Sequence, residues 1–135
     1  MDFMSRSQLA QAVGVNIETL RYYERRGLIP EPKRRASGYR LYSPDYVKRI
    51  HFIQKAKTLG FTLEEIKALL QLRVAGDTTC DQVREKAERK TAEIERKISE
   101  LQKMQSALKN LASSCRGGGP SGDCPFLDAL ESENF

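Results

Sequence analysis

A chain of 135 residues, 39% hydrophobic and 30% charged, suits one compact domain or a small domain carrying an extended helix. No apolar run approaches the roughly 18 residues needed to cross a bilayer, and MDFMSRSQ lacks the apolar core of a secretory signal, so a cytoplasmic protein is expected. The net charge of +5 is uneven: residues 1–75 hold 14 Lys/Arg against 7 Asp/Glu, residues 76–135 hold 9 against 11, and the basic front half favours a nucleic-acid partner there.

From Ser5, the pattern SRSQLAQAVGV reads as a Ser-x-x-Gln capping box and a short helix that Gly14 ends. Asn16 caps the next helix, NIETLRYYERRGL, with Ile17, Leu20 and Tyr23 turned inward and Glu18, Arg21, Tyr22 and Arg25 on the opposite face. Two short helices around a tight Gly-containing turn make a helix-turn-helix. Arg21, Tyr22 and Arg25 then supply guanidinium groups for phosphates or guanine edges and a phenol that stacks or reaches a phosphate.

The segment EPKRRASGYRLYS follows. Its Ser37-Gly38 turn signal and the alternation over Tyr39 to Tyr42 predict a small β-wing, whose Lys33, Arg34, Arg35 and Arg40 are suited to the flanking DNA backbone. Ser43-Pro44 predicts a helix start with Pro44 at the first helical position. Val47, Ile50, Ile53 and Ala56 form its apolar stripe and Gly60 its stop. His51, the only histidine, has no sequence-near partner and reads as a packing or surface residue. Thr62 and Glu65 form a second capping box, opening a helix with Leu63, Ile66, Leu69 and Leu70 at helical spacing.

Gly76 to Thr79 break the pattern as a hinge, and a long helix is predicted over residues 80–114. Ala87, Ile94, Leu101 and Leu108 repeat every seven residues, with Thr91, Ile98, Gln105 and Ala112 offset by four. Such a narrow stripe with charged flanks belongs to a coiled coil and requires a partner helix. Beyond it, CRGGGPSGDC forms a polar glycine-rich loop, and PFLDAL predicts a short terminal helix. The expected organisation is therefore mainly α: a winged helix-turn-helix over 1–75, a hinge over 76–79, a dimerisation helix over 80–114, and a metal-binding loop with a terminal helix over 115–135.

All three cysteines, Cys80, Cys115 and Cys124, bracket that helix and loop. Their odd number in a reducing compartment argues for free thiols or metal ligation over disulfides. A straight helix at ~1.5 Å per residue separates Cys80 from Cys115 by roughly 50 Å, so one chain cannot bring both to one ion. Antiparallel pairing of two such helices sets Cys80 of one protomer against Cys115 and Cys124 of its partner. Three sulfurs without histidine favour a soft, low-coordinate ion such as Cu(I) or Hg(II) over a four-ligand zinc site. Redox-active thiols beside Arg116 are the other reading. An enzyme is not expected, because the chain has no CxxC pair, nucleotide loop or catalytic histidine set.

The runs NIETLRYYERRGLI, GYRLY, SPDYVKRIHFIQKAKTLGFTLEEI and CRGGGPSGDCP together resemble the MerR family of transcription regulators over nearly the whole chain. Cys80, Cys115 and Cys124 match the cysteines of its mercury-sensing members, including the eight-residue loop between the last two. Copper-responsive relatives carry serine at the position of Cys80. Zinc-responsive ones add a cysteine where this chain has Ser114, and a loop histidine. Cadmium- and lead-responsive members also use three cysteines, with a shorter loop, and are the alternative; redox-sensing members carry four. The resemblance implies a homodimer on a palindromic double-stranded operator, repressing without metal. With Hg(II) bound it would untwist the promoter for RNA polymerase; the cysteine geometry predicts trigonal Hg(II) sites shared between protomers, two per dimer. The resemblance also implies that Arg21 and Tyr22 lie on the recognition helix and Tyr39 and Arg40 on the wing.

Overall fold

The computed structural model describes residues 3–32, 41–76, 79–115, 117–119, 122 and 124–132. In chain order the helices are α1 (Arg6–Val13), α2 (Ile17–Arg25), α3 (Asp45–Thr58), α4 (Leu63–Val74), α5 (Cys80–Ser113) and α6 (Pro125–Glu131). The chain forms two compact units, residues 1–86 and 87–135.

In the first unit the local signals act as their chemistry dictates. Ser5 accepts from the Gln8 N–H while the Gln8 side chain accepts from the Ser5 N–H, a complete capping box on α1. Gly14, at φ 72°, closes the helix in the left-handed conformation that glycine adopts without a Cβ clash. Asn16 Oδ1 accepts from the Thr19 N–H at 2.8 Å and starts α2. Thr62 and Glu65 form the second reciprocal box, on α4. Pro44 does not occupy the first helical position; it is the residue before α3. The N–H groups of Tyr46 and Val47 donate to the carbonyls of Ser43 and Pro44 at 3.0 Å, so the entry is a tight i to i+3 turn before α-helical bonding begins.

One core holds this unit together. Leu9, Ala10 and Val13 of α1 meet Leu20 and Tyr23 of α2, Ile50, Ile53 and Ala56 of α3, and Ile66 and Leu70 of α4, with Leu28, Ile29 and Tyr42 completing it. Polar arms from α3 fix the connecting segments. Gln54 donates to the last carbonyl of α1, at Val13 (2.9 Å), Arg49 to Leu28 O (3.0 Å), and the Tyr46 hydroxyl to Pro30 O (2.9 Å). His51 is exposed. The predicted wing, including Arg34, Tyr39 and Arg40, lies outside the described residues. Where the chain is described again, Tyr42 pairs with Met4 in an isolated antiparallel bridge.

The second unit contains most of α5 and α6. The apolar stripe of α5 is turned to solvent: Ile94, Ile98, Leu101, Met104 and Leu108 are 39–62% exposed. Lys90, in contrast, is buried and donates to Glu93 at 2.9 Å. Hydrogen bonds from Lys90 and Lys97 hold the Glu93 carboxyl below its ordinary pKa. After α5, Gly117 and Gly118 both take positive φ, 74° and 69°, two consecutive left-handed positions that only glycine tolerates cheaply.

Ile53 is fully buried among four helices whereas His51, two residues away, is not. Ile53→Ala is expected to destabilise the chain by about 2–5 kcal/mol and His51→Ala by less than about 0.5, read from urea denaturation midpoints.

Candidate nucleic-acid interface and thiol positions

The outer face of α2 is a cationic cluster built around one ring. Arg21, Tyr22, Arg25 and Arg26 are all exposed. The guanidinium carbons of Arg25 and Arg26 each lie 5.9 Å from the centroid of the Tyr22 ring, within the range of a cation–π contact. Arg21 Nη1 donates to Glu18 Oε1 at 2.9 Å, one turn back. Exposed pairs of this kind contribute little stability and release their guanidinium readily to a phosphate. Arg26, which the sequence pattern did not single out, is placed by an ion pair of 2.9 Å to Glu64 at the start of α4. Arg21, Tyr22 and Arg25 thus share one surface with Arg26 added. Such a surface offers phosphate contacts and bidentate donors for base edges.

Behind that surface lies a polar cluster that sequence reasoning did not find. Tyr42 is fully buried, and its hydroxyl donates to Glu24 Oε1 of α2 in a short hydrogen bond. Arg6 of α1 donates from Nε to the Tyr42 oxygen (3.1 Å) and from Nη2 to Glu24 Oε2 (3.2 Å). Burial and the neighbouring Glu24 carboxylate push the Tyr42 pKa up to about 12, so the phenol stays protonated and remains a donor.

Each cysteine is a free thiol at the boundary of an element. Cys80 is the first residue of α5, exposed, on the rim of a groove of ≈ 440 Å³ lined also by Phe52, Leu69, Leu72, Arg73 and Val83. Cys115 is exposed just past α5, its N–H donating to Ala112 O at 3.1 Å. Cys124 is half-buried and caps α6, its carbonyl accepting from the Asp128 N–H at 3.1 Å. Among the described residues no three His, Cys, Asp or Glu side chains gather into a potential metal cluster. The interval from position 80 to position 115 is 35 residues, five repeats of seven. Cys80 therefore falls one heptad before Ala87, at the start of α5, and Cys115 one heptad after Leu108, two residues past the end of α5.

A helix-turn-helix with an arginine-rich second helix, followed by a long helix with an unpaired apolar stripe, defines a DNA-binding regulator. Residues 4–73 match the family described as MerR HTH family regulatory protein, and residues 47–111 the one described as MerR, DNA binding. The mercuric resistance operon regulatory protein of Bacillus cereus is 42% identical over 123 residues, covering 91% of this chain and 93% of that one. The HTH-type transcriptional regulator CueR of Vibrio cholerae is 38% identical over 128 residues, covering 95% and 91%. The transcription regulator PbrR691 of Ralstonia metallidurans, solved in complex with lead(II), superposes with a TM-score of 0.86 at 31% identity, covering 94% and 98%. The chain belongs to the MerR family: it is a transcription regulator and not an enzyme.

Arg25→Ala removes one cation from the α2 surface without touching the core. It is expected to weaken DNA binding and to lower the slope of log affinity against log salt by about one, measured by fluorescence anisotropy across a salt series.

Proposed function

We propose that the chain is a homodimeric, Hg(II)-responsive regulator that binds a palindromic operator, represses without metal, and activates transcription when the metal joins Cys80 of one protomer to Cys115 and Cys124 of the other. The observation that carries this reading is that Cys80 opens α5 and Cys115 follows its end, with an exposed apolar stripe running between them. Antiparallel pairing about a two-fold midway between them brings each level with the other's counterpart. The same pairing covers Ile94, Ile98, Leu101 and Leu108, each contributing up to about 1.5–3 kcal/mol on full burial.

The donor set fits a soft ion. Three free thiols, none engaged in a disulfide, present sulfur alone. As thiolates they hold Hg(II) by covalent, low-coordinate bonds that hard cations do not form. The glycines between Cys115 and Cys124 give the loop the backbone freedom to bring its two sulfurs to one ion. Similarity over 91% of the chain to a mercuric resistance regulator supports the choice of ion. A lead(II)-bound structural relative supports Cd(II) or Pb(II) as the second reading.

The heads act on DNA through Arg21, Tyr22 and Arg25, with Arg34, Tyr39 and Arg40 of the wing on the flanking backbone. Two heads joined by one rigid seam match a two-fold operator. Because Cys80 begins α5 directly after the head, a change in how it is held alters the relative set of the two heads. That change is worth only the few kcal/mol that promoter DNA requires for bending or untwisting, which presents the promoter elements to RNA polymerase.

Mixed dimers test the sharing of the site. Chains carrying Cys80→Ser paired with chains carrying Cys115→Ser are expected to bind one Hg(II) per dimer, through the one pair of undamaged contributions, while neither homodimer retains a complete site. Mixed dimers that bind none would overturn the interprotomer arrangement. Transcription from the cognate promoter across Hg(II), Cd(II) and Pb(II) is expected to rise most with Hg(II), and a larger response to Pb(II) selects the second reading. Ile98→Asp is expected to yield a monomer at micromolar concentration in sedimentation, since it sets a carboxylate at the centre of the apolar face.

A further inference from the structure

The Arg6, Glu24 and Tyr42 cluster lies behind the DNA-facing surface and makes no use of it. We infer that Glu24 is a positioning residue for sequence-specific DNA recognition: clamped by Arg6 and Tyr42, its carboxylate sets the rotation of α2 about its own axis and so the aim of Arg21, Tyr22 and Arg25. The inference rests on the reading that the outer face of α2 contacts DNA.

The geometry gives three reasons. First, both carboxylate oxygens are engaged, Oε1 by the Tyr42 hydroxyl and Oε2 by Arg6 Nη2 at 3.2 Å, so the group is held in orientation as well as position. Second, the clamps are themselves fixed by other elements. Tyr42 exchanges backbone hydrogen bonds with Met4 at 2.9 and 2.8 Å and sets its ring edge-on to Tyr46 of α3, with centroids 4.9 Å apart at 85°. Arg6 is the first residue of α1. Third, Glu24 stands between Tyr22 and Arg25 within one turn of α2, so the helix cannot rotate without carrying both. A 10° rotation moves atoms at a radius of ~6 Å by about 1 Å. That is enough to turn a bidentate contact with a base edge into none, while a contact with a phosphate survives it by side-chain adjustment.

Packing alone does not need this arrangement. Leu20 and Tyr23 already hold α2 on the core, but apolar contacts are non-directional. A carboxylate gripped by donors from different elements supplies the direction. Specific and non-specific binding should therefore separate when the clamp is loosened, because phosphate contacts position and base contacts specify.

Charge makes the test discriminating. Glu24→Gln keeps the shape of the side chain and raises the net charge from +5 to +6; a purely electrostatic effect would tighten all DNA binding. Tyr42→Phe removes only the hydroxyl and leaves the charge unchanged. The full chain is assayed by anisotropy on two duplexes of equal length, one carrying the operator selected by the wild-type chain from a random library and one a scramble of it. Both variants are expected to lose roughly tenfold in affinity for the selected duplex with scramble binding unchanged or, for Glu24→Gln, slightly stronger. The double variant should lose little more than either single one, since both act on one clamp. Equal proportional losses on both duplexes, or no loss on either, would overturn the inference. If Glu24→Gln does not fold by circular dichroism, Tyr42→Phe, which preserves core volume, decides alone. Arg25→Ala run alongside separates the two failures: if it too leaves the selected duplex unaffected, the DNA-contact reading of α2 fails, and if it alone weakens binding, only the positioning role does.

Discussion

An apolar stripe that the chain does not cover is the constraint on which the rest of the architecture depends. A 34-residue helix carries Ile94, Ile98, Leu101 and Leu108 on its surface at exposures between 39% and 62%. Side chains of this kind are tolerated singly on a surface, but a continuous line of them at heptad spacing marks an association face. The proposed antiparallel pairing satisfies it with a second copy of the same stripe. Two-fold symmetry then follows for everything attached, including the two heads and both pairs of cysteine positions.

The head is built on the opposite principle. Its core residues are satisfied internally, with Leu9, Leu20, Leu28, Ile50, Ile53 and Ile66 all fully buried, and the outer face of α2 is left to arginine and tyrosine. What that surface recognises depends on how rigidly it is held. Arg26 is tied to Glu64, Arg49 to Leu28 O, and Glu24 to Arg6 and Tyr42; each links a recognition-side segment to another element. These contacts add modestly to stability but convert an apolar, non-directional fit into one defined orientation, and sequence-specific contacts require that orientation.

Much of this was legible in the sequence because its signals are local. The capping pairs Ser5 with Gln8 and Thr62 with Glu65, the stops at Gly14 and Gly60, and the inward set Leu20, Tyr23, Ile50, Ile53 and Ile66 all involve residues within a few positions of one another, where helical periodicity is decisive. The heptads and the outward face of α2 could be read the same way. The Arg6, Glu24 and Tyr42 cluster could not, because its members are 18 positions apart in sequence and meet only once the helices pack. Arg26 was missed for a related reason: Glu64, 38 positions away, is what places it. Pro44 was misplaced by one residue because a 3₁₀-type entry and an α-helical first turn have the same sequence signature. The thiols divide along the same line. Their heptad spacing was implicit in the sequence, whereas the meeting proposed for them depends on a second chain.

The division of the cysteines between the units also bears on how an effector could reach DNA. Cys80 belongs to the unit that contains the head, residues 1–86, while Cys115 and Cys124 belong to the one that contains most of the seam. On the proposed pairing, holding these sulfurs together couples the head of one protomer to the seam of the other, so a local change in coordination becomes a change between rigid parts. Moving a two-state population from 1:99 to 99:1 requires about 5.5 kcal/mol of differential binding, and deforming a promoter costs a few kcal/mol by elastic estimates. Structural metal sites built on thiolates contribute on the order of 10 kcal/mol or more, so even a partial difference in sulfur geometry between two arrangements of the heads is sufficient. The orientation of α2 within each head must then stay fixed while the heads move as units. A clamp at Glu24 that resists rotation of the recognition helix is what such transmission requires, because torque delivered to a loosely held helix would be lost within the head before it reached the DNA.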